Sequence, residues 1–357
     1  MKTWLLFALM LPLLAFFACS RDKPAPKSYD AYEDLFDPSK PISYGEDNDV
    51  YLFAAGANLE RNAAGIDSSV TRKVLLTVEE QYFHLYSEPI AEIDEFLKYK
   101  NLILLGTLSG SDGVSAYLRQ TLAPDLQQQV QASGAELLVV KNRYVRDQII
   151  LYLLGEDEDK LAALVSQRAD QIFAYLLERY RLRLARQVYQ NEVVDARFFE
   201  DLPFSIRIPV LYRLFKDDRP GRFLSFLFQP ATPNRRTADR YVSVYHEPMP
   251  ADQIDAKWLF DKRETLGKNY LNGDRILPGK YWTERTKIAG HEGWRLWGHW
   301  VNSELGGGVG GAFQTYAFWH APTQTAYLVD NIVYFPDGEK LPVLLELGMI
   351  SQSLAVK

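Results

Sequence analysis

Residues 293–302, GWRLWGHWVN, are followed after SELGGGVGG (303–311) by AFQTYAFWHA (312–321). Successive side chains of a strand point to opposite faces. Trp294, Leu296 and Trp300 therefore share one face, and Arg295, Trp297 and His299 share the other. The intervening Gly306-Gly307-Gly308-Val309-Gly310-Gly311 permits positive φ and reads as a long hairpin loop. No lysine or helix follows to make it a phosphate cradle. Two antiparallel neighbours are thus expected here.

The neighbouring sequence extends the sheet on both sides. Phe204, Ile206 and Ile208 alternate with Ser205, Arg207 and Pro209, the period of a strand. Further strands are expected at 212–216, 222–229, 241–247, 281–288 and 324–335. A helix is expected over 251–271, with Ile254, Trp258, Leu259 and Leu266 inward. A closing helix over 340–354 carries Leu341, Leu344, Leu345 and Met349. Consecutive strands with short turns imply an antiparallel sheet, with its two helices on one face. This order is similar to that of the PsbP and Mog1 family of α+β domains. The likeness implies a fold and no function.

The preceding half reads differently. NLILLGTL (101–108) is a continuous apolar run, as in strands buried on both faces of α/β layers. Strands are also expected at 50–54, 83–86, 136–141 and 148–154. A helix capped by Asp67 or Ser68 is expected to reach residue 82, with Val70, Val74, Leu75 and Val78 on one face. A second helix, 114–133, should break at Pro124. A third, 156–190, has Leu161, Leu164, Val165, Ile172, Phe173, Leu176, Leu177 and Tyr180 as its stripe. Glu156-Asp157-Glu158-Asp159 at its start suits the helix macrodipole better than a calcium loop, which needs alternating ligands and a central glycine. Ser109-Gly110-Ser111-Asp112-Gly113 reads as a tight turn. As an anion nest it has no Walker lysine, GxGxxG or GxSxG to support it. The expected fold is α+β: an N-terminal α/β lobe with a mixed sheet (50–190), then an antiparallel sheet covered by two helices (191–357).

The chain begins MKTWLLFALMLPLLAFFAC, and Cys19 is the single cysteine among 357 residues. Lys2 precedes a charge-free run of about 15 residues, short of the roughly 20 a membrane span needs, and Pro12 interrupts it. Phe16-Phe17-Ala18-Cys19 resembles a lipobox, with Phe16 and Phe17 where leucine and a small residue are usual. The resemblance implies a signal peptide (1–18), cleavage before Cys19 and acylation of Cys19, which gives a stable membrane anchor. A lone thiol leaves no disulfide to be made. Residues 19–49, with Pro24, Pro26, Pro38 and Pro41, read as a flexible tether spanning on the order of 30 Å. Ser20, where an aspartate would retain the protein in the inner membrane, favours the outer membrane by the same resemblance.

Charge limits the partners. The 40 Lys and Arg include Lys2, so the processed chain carries 39 against 46 Asp and Glu, a net −7. Phosphate binding needs a basic surface, so nucleic acid is not expected. Five of the seven tryptophans (282, 294, 297, 300 and 319) fall between Trp282 and His320. If helices cover one face of the sheet, the other can present Arg295, Trp297 and His299 to a sugar ring or a protein partner; otherwise these are core and sheet-face filler. His291, His299 and His320 show no metal spacing, so neither metal nor cofactor is expected.

The chain resembles a family of Gram-negative lipoproteins classed as domain of unknown function 4837. The residues that carry the likeness are Cys19, Asn101 to Leu104, Trp297, Gly310-Gly311-Ala312-Phe313, Tyr334-Phe335-Pro336 and Lys340. Ala312 replaces the family's proline. The resemblance implies a lipid-anchored envelope protein and brings no catalytic residue. The expected function is non-enzymatic binding or envelope structure, with an envelope protein or glycan as partner. The alternative is an envelope hydrolase acting on glycan or peptide, which needs two buried carboxylates in one cleft beside Trp297.

Overall fold

The computed structural model describes residues 35, 39–230, 237–302 and 308–357. The leader, Cys19, Ser20 and most of the tether lie outside the described residues, as do Gly306 and Gly307. The described end of the tether is not loose. Leu35 is fully buried, and Ser43 donates to Asp147 at 2.6 Å. Asp47 pairs with Lys100 at 2.9 Å, both largely covered. The tyrosine at 44 supplies what the prolines hid: its ring lies 6.5 Å from that of Tyr99.

The first lobe runs β1 (Asp49–Phe53), α1 (Gly56–Val70), β2 (Lys73–Leu75), β3 (Glu79–Gln81), β4 (His84–Ser87), α2 (Ile93–Phe96), β5 (Asn101–Thr107), α3 (Gly113–Thr121), α4 (Pro124–Ser133), β6 (Ala135–Lys141), β7 (Ile149–Gly155), α5 (Glu158–Gln167) and α6 (Ala169–Tyr189). Its sheet has the order β4-β1-β5-β7-β6, parallel except for the β6–β7 pair. It is a mixed sheet, as expected. All of β5 is buried, because helices cover both faces. Leu52, Ile103 and Leu151 meet α1, α5 and α6, while Phe53, Leu104 and Ile150 meet α2, α3 and α4.

Two expectations here fail for local reasons. The helix expected from Asp67 to residue 82 instead ends at Val70. Ser69 and Thr71 donate their hydroxyls back to the carbonyls of Gly65 and Asp67, so these residues close a helix rather than open one. Its buried stripe includes Asn58 and Asn62, polar residues that masked the period. The single helix 156–190 divides at Arg168, whose φ of −107° and ψ of 11° leave helical space. Asp157 caps α5 by accepting from the Lys160 amide at 2.9 Å.

The second lobe comprises β8 (Phe204–Ser205), β9 (Arg213–Asp218), β10 (Phe223–Phe228), β11 (Asp239–Pro248), α7 (Ala256–Tyr270), β12 (Arg275–Ile288), β13 (His291–Asn302), β14 (Val309–His320), β15 (Thr325–Tyr334), α8 (Leu341–Gln352) and β16 (Ala355–Val356). Seven strands form an antiparallel sheet in the order β12-β13-β14-β15-β11-β10-β9. The strand expected through Ile208 is shorter. Phe204 and Ser205 pair with β16, Arg207 donates its amide to the Ser353 hydroxyl at 2.9 Å, and Ile208 turns away to accept from the Val194 amide at 2.7 Å.

The two helices do not share a face. Leu259 and Leu266 of α7 pack with Leu296, Trp300, Phe313 and Ile332. Leu341, Leu344, Leu345 and Met349 of α8 pack on the reverse with Phe318, Tyr327 and Val329. Alternation along each strand supplies apolar residues to both faces, so both must be covered. Eight of the residues of α8 are buried, on all sides. A helix apolar all round needs a second neighbour, and α6 of the first lobe is that neighbour, so one core runs through both lobes.

A buried carboxylate fixes this junction. Glu80 on β3 accepts from the amides of Lys340, at 2.8 Å, and Leu341, at 2.7 Å. It caps α8 from the other lobe, where Lys340 offers no side-chain cap. Among the described residues, no helix is long and apolar enough to cross a membrane.

Candidate functional site: a cleft between the lobes

The cleft lies where α6, α8 and the sheet face of β13 and β14 meet, and has a volume of about 590 Å³. Ligand pockets are typically roughly 300–1,000 Å³. The walls are apolar: Phe173, Leu177 and Leu182 from α6, and Leu344, Leu345 and Met349 from α8. Arg295, Gln314 and Tyr316 form the floor, and the exposed Glu178 and Arg181 stand at the rim. Arg295 and Tyr316 are register partners on adjacent strands, so their side chains emerge on one face together.

Arg295 is the polar centre. One terminal nitrogen donates to Glu284 at 3.0 Å, and the guanidinium lies 4.5 Å over the Trp297 ring. Its Nε is fully buried and finds no acceptor among the described protein groups. Burial opposes its charge, but Tyr316, Tyr82 and Glu284 nearby raise its pKa above the ordinary value. Burial pushes the Tyr316 phenol up, so it stays a neutral donor. Gln314 donates weakly to the Leu344 carbonyl at 3.5 Å.

Trp297 and His299 follow Arg295 along the same face, all three half-buried. Trp297 stacks on Trp282, its register partner, with centroids 6.3 Å apart. It packs beside the cleft and against the main core rather than standing free on an uncovered face. His299 sits at the hairpin end, away from the cleft lining; burial, then Lys280 and Lys340, hold its pKa below the imidazole norm. His291 stacks on Phe318 at 4.5 Å and meets His320 edge-on at 5.4 Å. The structure thus brings Arg295 and Trp297 together and leaves His299 apart.

Sequence reasoning missed Gln314, Tyr316, Arg181 and Gly348. Alternation puts Gln314 and Tyr316 on one face, but pairing them with Arg295 requires the hairpin register, which a glycine-rich loop does not specify. Gly348 lies within α8, and a Cβ built there meets Gln314 and Tyr316 at an ordinary 3.5 Å.

The opposite face of the same sheet holds a second polar centre. Arg263 and Asp330 are both fully buried, 3.6 Å apart, and Thr315 donates to Asp330 at 2.6 Å. Burial raises the Asp274 carboxyl to about 6, although Asn302 donates to it at 2.8 Å. These carboxylates lie across the sheet from Trp297. Of the described carboxylates, Glu178 alone lines the cleft.

Residues 191–353 match the family described as Domain of unknown function (DUF4837). Similar solved structures include LpqN of Mycobacterium tuberculosis, which is involved in cell envelope biogenesis, at 16% identity and a TM-score of 0.27, covering 43% of this chain and 83% of that one. The Ran-binding protein Mog1p of Saccharomyces cerevisiae matches at 12% identity and a TM-score of 0.29, covering 43% and 90%. The PsbP protein of Synechocystis matches at 11% identity and a TM-score of 0.29, covering 43% and 87%. The family is the one that the sequence resembles. No curated protein matches the chain.

Proposed function

We propose that the chain is a lipid-anchored protein of the cell envelope, outer membrane rather than inner, whose folded body binds a ligand in the cleft between its lobes and carries out no chemistry there. The anchor rests on Cys19 at the end of the apolar leader and on Ser20 after it. The binding role rests on one observation: a cleft of about 590 Å³ with apolar walls and a guanidinium on its floor. A hydrolase would need paired carboxylates converging on that floor, and the floor carries Arg295, Gln314 and Tyr316 instead.

Two measurements test the reading. The N-terminal peptide of the protein from envelope membranes should have the mass of an acylated Cys19; a retained leader with a bare thiol refutes the anchor. The mature chain, incubated with soluble envelope extract and examined by native mass spectrometry, should carry a small-molecule adduct that Gly348→Leu loses. An adduct equally present on both proteins refutes the cleft as the site.

A further inference from the structure

We infer that the cleft takes an anionic single-chain amphiphile, its acyl chain between α6 and α8 and its head on Arg295. The inference rests on the binding reading above and deepens it. Three observations carry it. First, the walls are one-sided in character: Phe173, Leu177 and Leu182 face Leu344, Leu345 and Met349 across the opening. Such walls hold methylene groups, each of which contributes about 0.8 kcal/mol on leaving water. Second, the floor carries donors: Arg295, Tyr316 and the Gln314 amide. The Arg295 guanidinium borders the cleft, and the Tyr316 hydroxyl stays protonated on the same floor. An oxyanion satisfies a guanidinium better than a neutral acceptor does. At the rim Arg181 and Glu178 offset each other, so the net positive charge of the lining is that of Arg295.

Third, α8 carries glycine where packing does not demand it. A glycine inside a helix is less stable than alanine by roughly 1 kcal/mol. The built Cβ of Gly348 meets nothing closer than 3.5 Å, so alanine fits. Any longer side chain at that position projects over Gln314 and Tyr316. Glycine therefore keeps the space between helix and sheet open.

The test is titration calorimetry on the mature chain with dodecanoate below its micellar concentration, against dodecanol and acetate. Dodecanoate should bind, acetate should not, and dodecanol should bind at least about tenfold more weakly. Arg295→Gln should erase the preference for dodecanoate over dodecanol, and Gly348→Leu should abolish both. Far-UV circular dichroism confirms that each variant is folded; if Arg295→Gln is not, Gly348→Leu and the dodecanoate-to-dodecanol ratio decide. Equal binding of dodecanoate and dodecanol overturns the anionic class and leaves the cleft as a binding site. Dodecanoate binding that survives Gly348→Leu, or no dodecanoate binding at all, overturns the inference outright.

Discussion

Replacing Glu80 by alanine should weaken the whole protein, though the residue sits on a three-residue strand far from most of the sequence it serves. Its carboxylate accepts from the Lys340 and Leu341 amides. The next helical residue, Pro342, has no amide hydrogen to satisfy. Glu80 is 7% exposed, so water replaces it poorly. Each buried amide left without an acceptor costs about 1–3 kcal/mol, and hydrogen bonds to a charged acceptor lie at the upper end. Two such losses sum to about 3–5 kcal/mol for Glu80→Ala. The largely covered Lys340 ammonium, 3.9 Å from the carboxylate, also loses its partner, which places the loss toward the upper end of that range. Glu80→Gln keeps one acceptor oxygen and should lose about 1–2 kcal/mol. Urea unfolding followed by tryptophan fluorescence measures both, and hydrogen exchange at 340–344 reports the capped turn directly. A loss under about 1 kcal/mol for Glu80→Ala, or unchanged exchange in that turn, would refute the idea that one lobe caps the other's helix.

Other perturbations follow from buried contacts. Gly267→Ala should destabilise strongly, by about 3 kcal/mol or more, because its Cβ would stand 2.1 Å from the Asp274 carbonyl and 2.5 Å from Arg263; normal thermal stability of the variant would contradict this. Arg183→Met should cost about 4 kcal/mol in chemical denaturation. It removes donors that hold the Asp47 and Asp147 carbonyls and the Asn101 amide oxygen at 2.8–2.9 Å. Asp274 makes stability fall as pH rises. Its folded pKa of about 6 lies above the ordinary 3.8, so the folded state holds the proton where the unfolded state has released it. Its favourable contribution is complete below about pH 4 and is lost as pH rises through about 6, a change of about 3 kcal/mol. Asp274→Asn should flatten that part of the stability profile, and an unchanged slope would sink the assignment.

How far the sequence revealed this architecture depends on how local each signal was. Period-two alternation sorted Trp294, Leu296 and Trp300 from Arg295, Trp297 and His299 correctly, because strand geometry needs no partner to set it. The buried run at β5 and the break at Pro124 were equally local. Helix α1 was misread because Asp67, Ser68 and Thr71 fit either end of a helix, and because Asn58 and Asn62 occupy buried positions. The covering of both sheet faces was hidden, since apolar residues on a strand do not name what covers them. The cleft was legible only through Arg295 and Trp297. Its remaining groups come from α6 and α8, brought together by tertiary packing, and Glu80 reaches α8 across 260 positions.

The shared core has a practical consequence for anyone dividing this protein. The family match begins at residue 191, just after α6 ends. Leu184, Ala185, Val188 and Tyr189 nevertheless lie in the same apolar mass as Leu344, Leu347 and Ile350. A fragment cut there would carry α8 with its outer side bare, and would clump rather than dissolve. The family match runs along the second half alone, but a shared core makes melting an event of both halves together.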